Sequence, residues 1–251
     1  MLSEPTHARC PPIVLVHGAW GGAWIWRKVL GPLRAAGHEV HAVTLTGDGE
    51  RAHLRRPDIG LSTHIDDVTG LIEAEELRDV VLVGHSYGGM VITGAADRLL
   101  ARDPGLLRQL VYVDAMVPLP GEGWGSSHPP EIQAQRRALA AAHGNALPPA
   151  DPAGFGLDGA DREWLLRRQV PHPFGPYGDR LDFDGERLAR VPRAFIDCRE
   201  PAYPTIDAMR RRVRELGGWQ VIEMPTGHCP QVSMPDRLVE HLLRLTAGPW
   251  A

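Results

Sequence analysis

The sequence predicts an α/β fold, a mostly parallel central sheet flanked by helices, with one inserted segment. Three observations point there. Short, fully apolar runs recur at Ile13-Val14-Leu15-Val16, Val80-Val81-Leu82-Val83 and Leu110-Val111-Tyr112-Val113. Runs of that kind read as strands buried on both faces. Stretches of helical spacing alternate with them, which implies right-handed crossovers and parallel pairing. The second run passes directly into Gly84-His85-Ser86-Tyr87-Gly88, and a helical pattern follows to about Arg102. Gly84 and Gly88 lack side chains at the two places where a sharp strand-to-helix turn crowds. Such a turn lifts the Ser86 hydroxyl clear of the sheet and places the Tyr87 N–H where an oxyanion forms.

The chain has 251 residues, a length at which about three quarters of the unfolded surface is buried without covalent staples. Its 27 basic and 31 acidic residues give a net charge of −4, which argues against nucleic-acid and anionic-membrane partners. Three scattered cysteines, Cys10, Cys198 and Cys229, do not make a disulfide framework. The opening Met1-Leu2-Ser3-Glu4-Pro5-Thr6-His7 has no apolar signal region, and no stretch is long and apolar enough to span a bilayer. A cytoplasmic protein is expected.

Taken in order, Ile13 to Val16 leads into the glycine-rich loop His17-Gly18-Ala19-Trp20-Gly21-Gly22, and Trp24 to Ala36 has helical spacing with Gly37 as its stop. The loop has neither Rossmann nor Walker spacing. It reads as the second half of an oxyanion hole, with Ala19 as the donor and His17 as a structural histidine bonded to loop backbone. Val40 to Leu45 is the next strand and Thr46-Gly47-Asp48-Gly49 its turn. Thr63-x-x-Asp66 resembles a capping box opening a helix towards Leu77, whose acids read as a solvated face. Pro104-Gly105 is a turn before the strand Leu110 to Val113, with Asp114 directly after it.

The alternation then breaks. From about 117 to 190 the chain is rich in Pro and Gly, with Trp124, Phe155, Trp164, Phe174 and Tyr177 spread through it. Two short helices are expected, at Glu131 to His143 and Asp161 to Gln169. The stretch reads as a lid over the carboxyl edge of the sheet, inserted into a single domain of residues 1–251 whose core is about 11–116 and 191–248. Arg193 to Cys198 resumes the sheet, Thr205 to Leu216 is a helix, and Trp219 to Glu223 is the last strand. Ser233 is the expected N-cap of the final helix, with Pro235 and Asp236 in its first turn.

A serine hydroxyl needs a neighbouring base, and the base an orienting acid. In this architecture the order along the chain is serine, acid, histidine. His228, in the loop after the last strand, is the best placed of the 12 histidines. Two acids are open. Asp114 ends a strand at the correct edge, and Glu200 follows the next strand; Asp114 is favoured, and Asp197 should lie within its strand. The His38-x-x-His41 pair is too slight for a metal site, and no cluster has zinc spacing, so neither metal nor cofactor is expected. The histidines of the insertion, His128, His143 and His172, read as surface or satisfied groups. Trp20 and Trp124 are expected to line an apolar substrate pocket.

With these residues in view, the chain resembles the α/β-hydrolases. More narrowly, it resembles the group of plant methylesterases, the salicylate-binding esterase and hydroxynitrile lyases, with many bacterial relatives. The resemblance rests on Val14-Leu15-Val16-His17-Gly18-Ala19-Trp20, Gly22-Ala23-Trp24-Ile25-Trp26, Gly37-His38-Glu39-Val40, Gly84-His85-Ser86-Tyr87-Gly88-Gly89 and Gly227-His228. It implies an α/β-hydrolase fold, a serine at Ser86, a base at His228 and oxyanion amides at Ala19 and Tyr87. The plant members carry their acid just after the strand matching Arg193 to Cys198. Here that place falls near Pro201, which raises the case for Asp114. The threonine and lysine of the hydroxynitrile lyases fall on Gly18 and Cys229.

The expected activity is cofactor-independent cleavage of a carboxylic ester, thioester or lactone of a small apolar or aromatic molecule. A lyase, cyclase or cofactor-free oxygenase on the same scaffold, or a non-catalytic small-molecule receptor, are the rival readings. The expected partner is that small molecule; a homodimer is left open.

Overall fold

Apolar runs without a polar face are satisfied only inside a sheet covered on both sides. In the computed structural model, which describes residues 10–247, they pair side by side. Met1 to His7, and the outer ends of the expected 1–251 span and of its core, lie outside the described residues. The strands are β1 (Ile13–Val16), β2 (Val40–Val43), β3 (Val80–His85), β4 (Leu107–Val113), β5 (Arg193–Cys198) and β6 (Trp219–Met224). They form one sheet in the order β6-β5-β4-β3-β1-β2, parallel throughout. This is the α/β-hydrolase fold.

The helices are α1 (Arg27–Ala35), α2 (Leu61–Ala74), α3 (Gly88–Arg102), α4 (Pro130–Ala142), α5 (Gly159–Leu166), α6 (Asp207–Leu216) and α7 (Pro235–Thr246). The chain leaves β1 in one direction across the sheet and returns from β2 in the other. Right-handed crossovers therefore put α1 and α2 on opposite faces. The packing agrees: α1 lies against α7, and α2 against α3.

Where local reading and structure differ, long-range bonds explain the difference. β2 ends at Val43, not Leu45, because Leu45 N–H leaves the ladder and donates to His17 Nε2 at 3.0 Å. β4 begins at Leu107, three residues early, since the polar Gln109 is buried inside the sheet. Helix α2 begins at Leu61 with Gly60 as its cap. Thr63 sits in the first turn and accepts from Gly60 N–H, while the distant Asp179 accepts from Leu61 N–H at 2.7 Å. Ser233 is not the cap of α7. It ends a separate short helix, Pro230–Ser233, and its hydroxyl is bonded to Thr226 Oγ1 at 2.7 Å.

Between β4 and β5 the chain adds no strand to the sheet. It forms α4, α5 and two small antiparallel pairs, Glu122–Gly123 with Arg180–Leu181 and Ala146–Leu147 with His172–Pro173. Its aromatics are not idle: Trp124, Phe155 and Tyr177 are all buried against the core.

Register places the strand ends that matter side by side. His85 pairs with Val113, and Val113 with Ile196; Met224 pairs with Cys198. Ser86 and Asp114 therefore follow adjacent strands at one edge, and the loop after β6 brings His228 to the same edge.

Candidate active site

Ser86 has a backbone φ of 54°, in the left-handed region that a residue with a side chain adopts only under constraint. Two glycines permit it. A Cβ on Gly84 would stand 2.7 Å from Gly88 O, and one on Gly88 would stand 2.8 Å from His17 O. Ser86 O accepts from Gly89 N–H and Met116 N–H, both at 3.0 Å, and Ser86 N–H donates to Val113 O at 3.3 Å. Asp114 also has a positive φ, 41°, with its N–H donating to Ile196 O at 2.8 Å. The two turns are thus tied to each other and to β5.

The structure brings Ser86, His228 and Asp114 into one chain of hydrogen bonds. Ser86 Oγ lies 2.9 Å from His228 Nε2, and His228 Nδ1 lies 2.7 Å from Asp114 Oδ2. Both Asp114 and His228 are buried. Glu200, the other acid considered, is exposed. Its backbone N–H bonds to Thr226 O, and its side chain takes no part in this chain.

Asp114 has a second partner that the sequence reading missed. Arg210 on α6 is 5% exposed, and all five of its N–H groups are used. Its Nη2 donates to Asp114 Oδ1 at 2.7 Å and to Cys198 O at 2.9 Å. Its Nε donates to Asp197 Oδ1 at 2.7 Å, and its Nη1 to Tyr203 O and Asp207 Oδ1. The guanidinium fork places a charge between two buried carboxylates at the ends of adjacent strands, a geometry that lysine's single ammonium does not reproduce. Asp197, placed within its strand as expected, also accepts from Arg214 Nη2 at 2.7 Å.

His228 is held by its backbone as well. His228 O accepts from His85 Nε2–H at 2.7 Å, and His228 N–H donates to Phe155 O, in the insertion, at 2.9 Å. Burial pushes the His85 ring well below the usual histidine range, so it is a neutral donor. Its neighbour on the strand β1 loop, His17, is likewise lowered by burial; Nε2 accepts from Leu45 N–H, and Nδ1–H donates to Gly18 O at 2.6 Å. His17 is bonded to loop backbone as the sequence suggested.

The loop after β1 runs close to the serine, since a Cβ on Gly18 would stand 2.8 Å from Ser86 Cβ. Ala19, Ser86 and His228 line one cavity of about 20 Å³, with Trp20, Trp24 and Phe155 among its other walls. The Ala19 and Tyr87 amides make no turn, loop or cap hydrogen bond among the described residues. Trp20 is on this cavity's wall, as expected. Trp124 is not: it packs behind, 6.2 Å from Trp20 and 5.2 Å from Tyr87 between ring centroids. The insertion folds its indole inward onto the core, which a scan of aromatic positions does not reveal. Cys229, where a lysine stands in the lyases that the chain resembles, is a buried thiol pushed up by burial and brings no positive charge.

A second aspartate–histidine pair is buried elsewhere in the molecule, beside Tyr87 and Trp124. Asp48 Oδ2 lies 2.8 Å from His172 Nδ1, and both side chains are fully buried. Their other polar atoms, Asp48 Oδ1 and His172 Nε2, have no partner among the described residues. Burial raises the Asp48 carboxyl to about 7 and lowers His172 to about 3. Below about pH 7 the pair's proton therefore sits on the carboxyl and the imidazole is neutral. Beside them, His64 Nδ1 meets the Tyr87 hydroxyl at 2.9 Å, and burial lowers His64 to about 4. His172 had been expected to be an ordinary satisfied or surface group; it anchors the insertion instead.

Among the described residues, no group of three or more His, Cys, Asp or Glu is arranged to hold a metal ion, and no helix is long and apolar enough to cross a membrane.

Residues 13–241 match the model of the alpha/beta hydrolase family. A carbendazim hydrolyzing esterase of Nocardioides sp. (strain SG-4G) is 42% identical over 243 residues, covering 92% of this chain and 98% of that protein. Methylesterase 2 of Arabidopsis thaliana is 29% identical over 262 residues, covering 92% and 94%. Among solved structures, an extracellular alpha/beta-hydrolase from a Paenibacillus species superposes with a TM-score of 0.80 at 22% identity, covering 95% of this chain and all of that one. That last likeness speaks for the fold, and the first two for kinship in sequence. By its sheet, its strand-to-helix serine turn and these relatives, the chain belongs to the alpha/beta hydrolase family.

Proposed function

We propose that this ester-bond hydrolase, carboxylesterase-like in its kinship, works through an acyl-enzyme on Ser86 and needs no cofactor. The observation that carries the reading is the unbroken hydrogen-bond chain from Ser86 Oγ through His228 to Asp114, at 2.9 and 2.7 Å. Ser86 Oγ attacks the carbonyl carbon of an ester, thioester or lactone, and His228 Nε2 takes its proton. Asp114 holds the imidazole by Nδ1–H and stabilises the imidazolium that forms. The amides of Ala19 and Tyr87 stabilise the oxyanion. His228 then gives the proton to the leaving oxygen or sulfur. Water, deprotonated by His228, attacks the acyl-enzyme and releases the acid.

Arg210 acts through Asp114, not on the substrate. Its charge offsets the penalty of keeping a carboxylate ionised in the interior. Residues 117–190 serve as a lid on a single domain, and Phe155 is the point where that lid touches the base. The bacterial relative is named for hydrolysing carbendazim and the plant relatives as methylesterases. Both names support a small acyl compound as substrate.

Labelling with a fluorophosphonate probe tests the reading. Stoichiometric labelling of the parent and none of Ser86→Ala is expected. Ester turnover that survives Ser86→Ala, with an unlabelled parent, would overturn it and favour a lyase or cyclase using His228 alone.

A further inference from the structure

We propose that a groove on the outer side of Trp20 receives the larger half of the substrate, and that Trp20 sets how much of the molecule reaches Ser86. This rests on the acyl-enzyme reading above. The cavity at Ser86 is about 20 Å³, room for one or two atoms beyond the reacting centre. An ester with any sizeable half must place it elsewhere. A groove of about 720 Å³ lies between α4 and residues 147–150, and Trp20 is a wall of both spaces. That volume falls in the range of small-molecule sites.

The partition between the two spaces is a row of rings. Trp20 is 6.3 Å from Phe155, Phe155 is 5.4 Å from Tyr203, and Tyr203 is 4.4 Å from the His228 ring, centroid to centroid. Tyr203 also lines the groove, so a single ring stands between the groove and the base. Trp20 is held in place: its φ is 65°, its Nε1–H donates to Leu147 O at 3.0 Å, and its O accepts from Val170 N–H at 3.2 Å. A fixed indole at this place is a size filter.

The lining states the chemistry. Leu139, Leu147 and Pro149 make an apolar floor, and Leu139 is 43% exposed with nothing covering it. The polar members are Gln135, Arg136, His143 and the phenol Tyr203; no Asp or Glu lines the groove among the described residues. The occupant is an apolar body, aromatic or branched, that is uncharged or anionic. A cationic body finds no counter-charge there.

The test uses the full chain and three esters: methyl acetate, methyl 2-naphthoate and 2-naphthyl acetate. Leu139→Trp fills the groove from an exposed position outside the reacting residues, and Ala150→Trp fills it from the opposite wall. Either variant is expected to raise KM for a naphthyl ester about 10-fold, the equivalent of losing one apolar contact region. Methyl acetate, too small in both halves to reach the groove, is the reference: the ratio of naphthyl to methyl acetate KM should rise by that factor in both variants, and fluorophosphonate labelling reports whether Ser86 is still activated. Trp20→Ala should relax the filter and raise kcat/KM for esters bulky on both sides. Intact labelling with unchanged naphthyl KM in both groove variants would overturn the proposal and leave the acyl-enzyme reading standing. A parent that neither labels nor hydrolyses any of the three esters would overturn both.

Discussion

Two aspartate–histidine pairs lie buried in this molecule, and they are nearly the same in isolation. Asp114 and His228 meet through Nδ1 at 2.7 Å, and Asp48 and His172 meet through Nδ1 at 2.8 Å. All four residues are buried. What differs is the far oxygen of each carboxylate. Asp114 Oδ1 receives Arg210 Nη2–H, whereas Asp48 Oδ1 receives nothing among the described residues. A carboxylate charge in the interior survives where a cation and hydrogen bonds support it. Asp48 has only its bond to His172 and no cation on its far oxygen, so below about pH 7 it keeps its proton, which makes its pair a neutral tie between the loop after β2 and the insertion. The same two residue types at one distance do different work because of a third group.

The largest effect is expected from removing the charge that the first pair depends on. Asp114→Asn should keep the fold and lower kcat by roughly 10³–10⁴-fold, the scale seen when a triad acid becomes an amide. Steady-state kinetics beside a circular dichroism spectrum would check this; a variant with more than a tenth of parental kcat would remove Asp114 from the mechanism. Arg210→Met comes next. A hydrogen bond to a charged group is worth about 1.5–3 kcal/mol, so kcat/KM should fall roughly 10–100-fold. Without the guanidinium, Asp114 Oδ1 keeps only the long bond from Cys198 N–H at 3.4 Å, and the carboxylate is free to turn away from His228 Nδ1. Arg210→Lys should restore part of the lost kcat/KM. A lower Tm with an unchanged kcat and KM would make Arg210 merely structural.

The second pair predicts a stability effect in place of a rate effect. An unfolded Asp48 releases its proton near 3.8, whereas the native carboxyl holds it up to about 7. The native state therefore binds more protons in that window, and this group's contribution falls as pH rises from about 4 to 7. His172, lowered to about 3, acts in the opposite sense: the unfolded state takes up its proton below about 6.5. Over most of that range the two cancel in the parent. Asp48→Asn keeps a donor to His172 Nδ1 and removes the first contribution alone. Its advantage over the parent should grow with pH to on the order of 1–3 kcal/mol by pH 7, with activity unchanged. Melting curves from pH 5 to 8 would show it, and a variant less stable than the parent at pH 8 would mean that Asp48 is charged in the native state. The smallest effect belongs to Glu200→Gln, whose exposed side chain lies outside the hydrogen-bond chain; kcat/KM and Tm should match the parent.

The runs Ile13–Val16 and Val80-Val81-Leu82-Val83 were legible because burial on both faces leaves no polar residue in them, and the Ser86 turn because two glycines flank it. Asp114 was favoured because it ends a strand at the right edge, but nothing local separates it from Glu200. What separates them is Arg210, 96 positions away along the chain, whose role no spacing rule encodes. Trp124 was misplaced for a related reason: an insertion without periodicity does not say which of its aromatics turns inward. Asp48 sits in what reads as an ordinary glycine-rich turn, and only the return of the chain at His172 buries it.

The hydrogen bond from His228 N–H to Phe155 O ties the base to a residue that also walls the cavity. The backbone around Phe155 therefore helps to set where the imidazole stands relative to Ser86, and a small misplacement of a reacting group is costly. Substitutions that shift the short turn Pro152–Phe155 are expected to register in kcat as well as in KM, although no side chain of that turn is hydrogen-bonded to Ser86 Oγ.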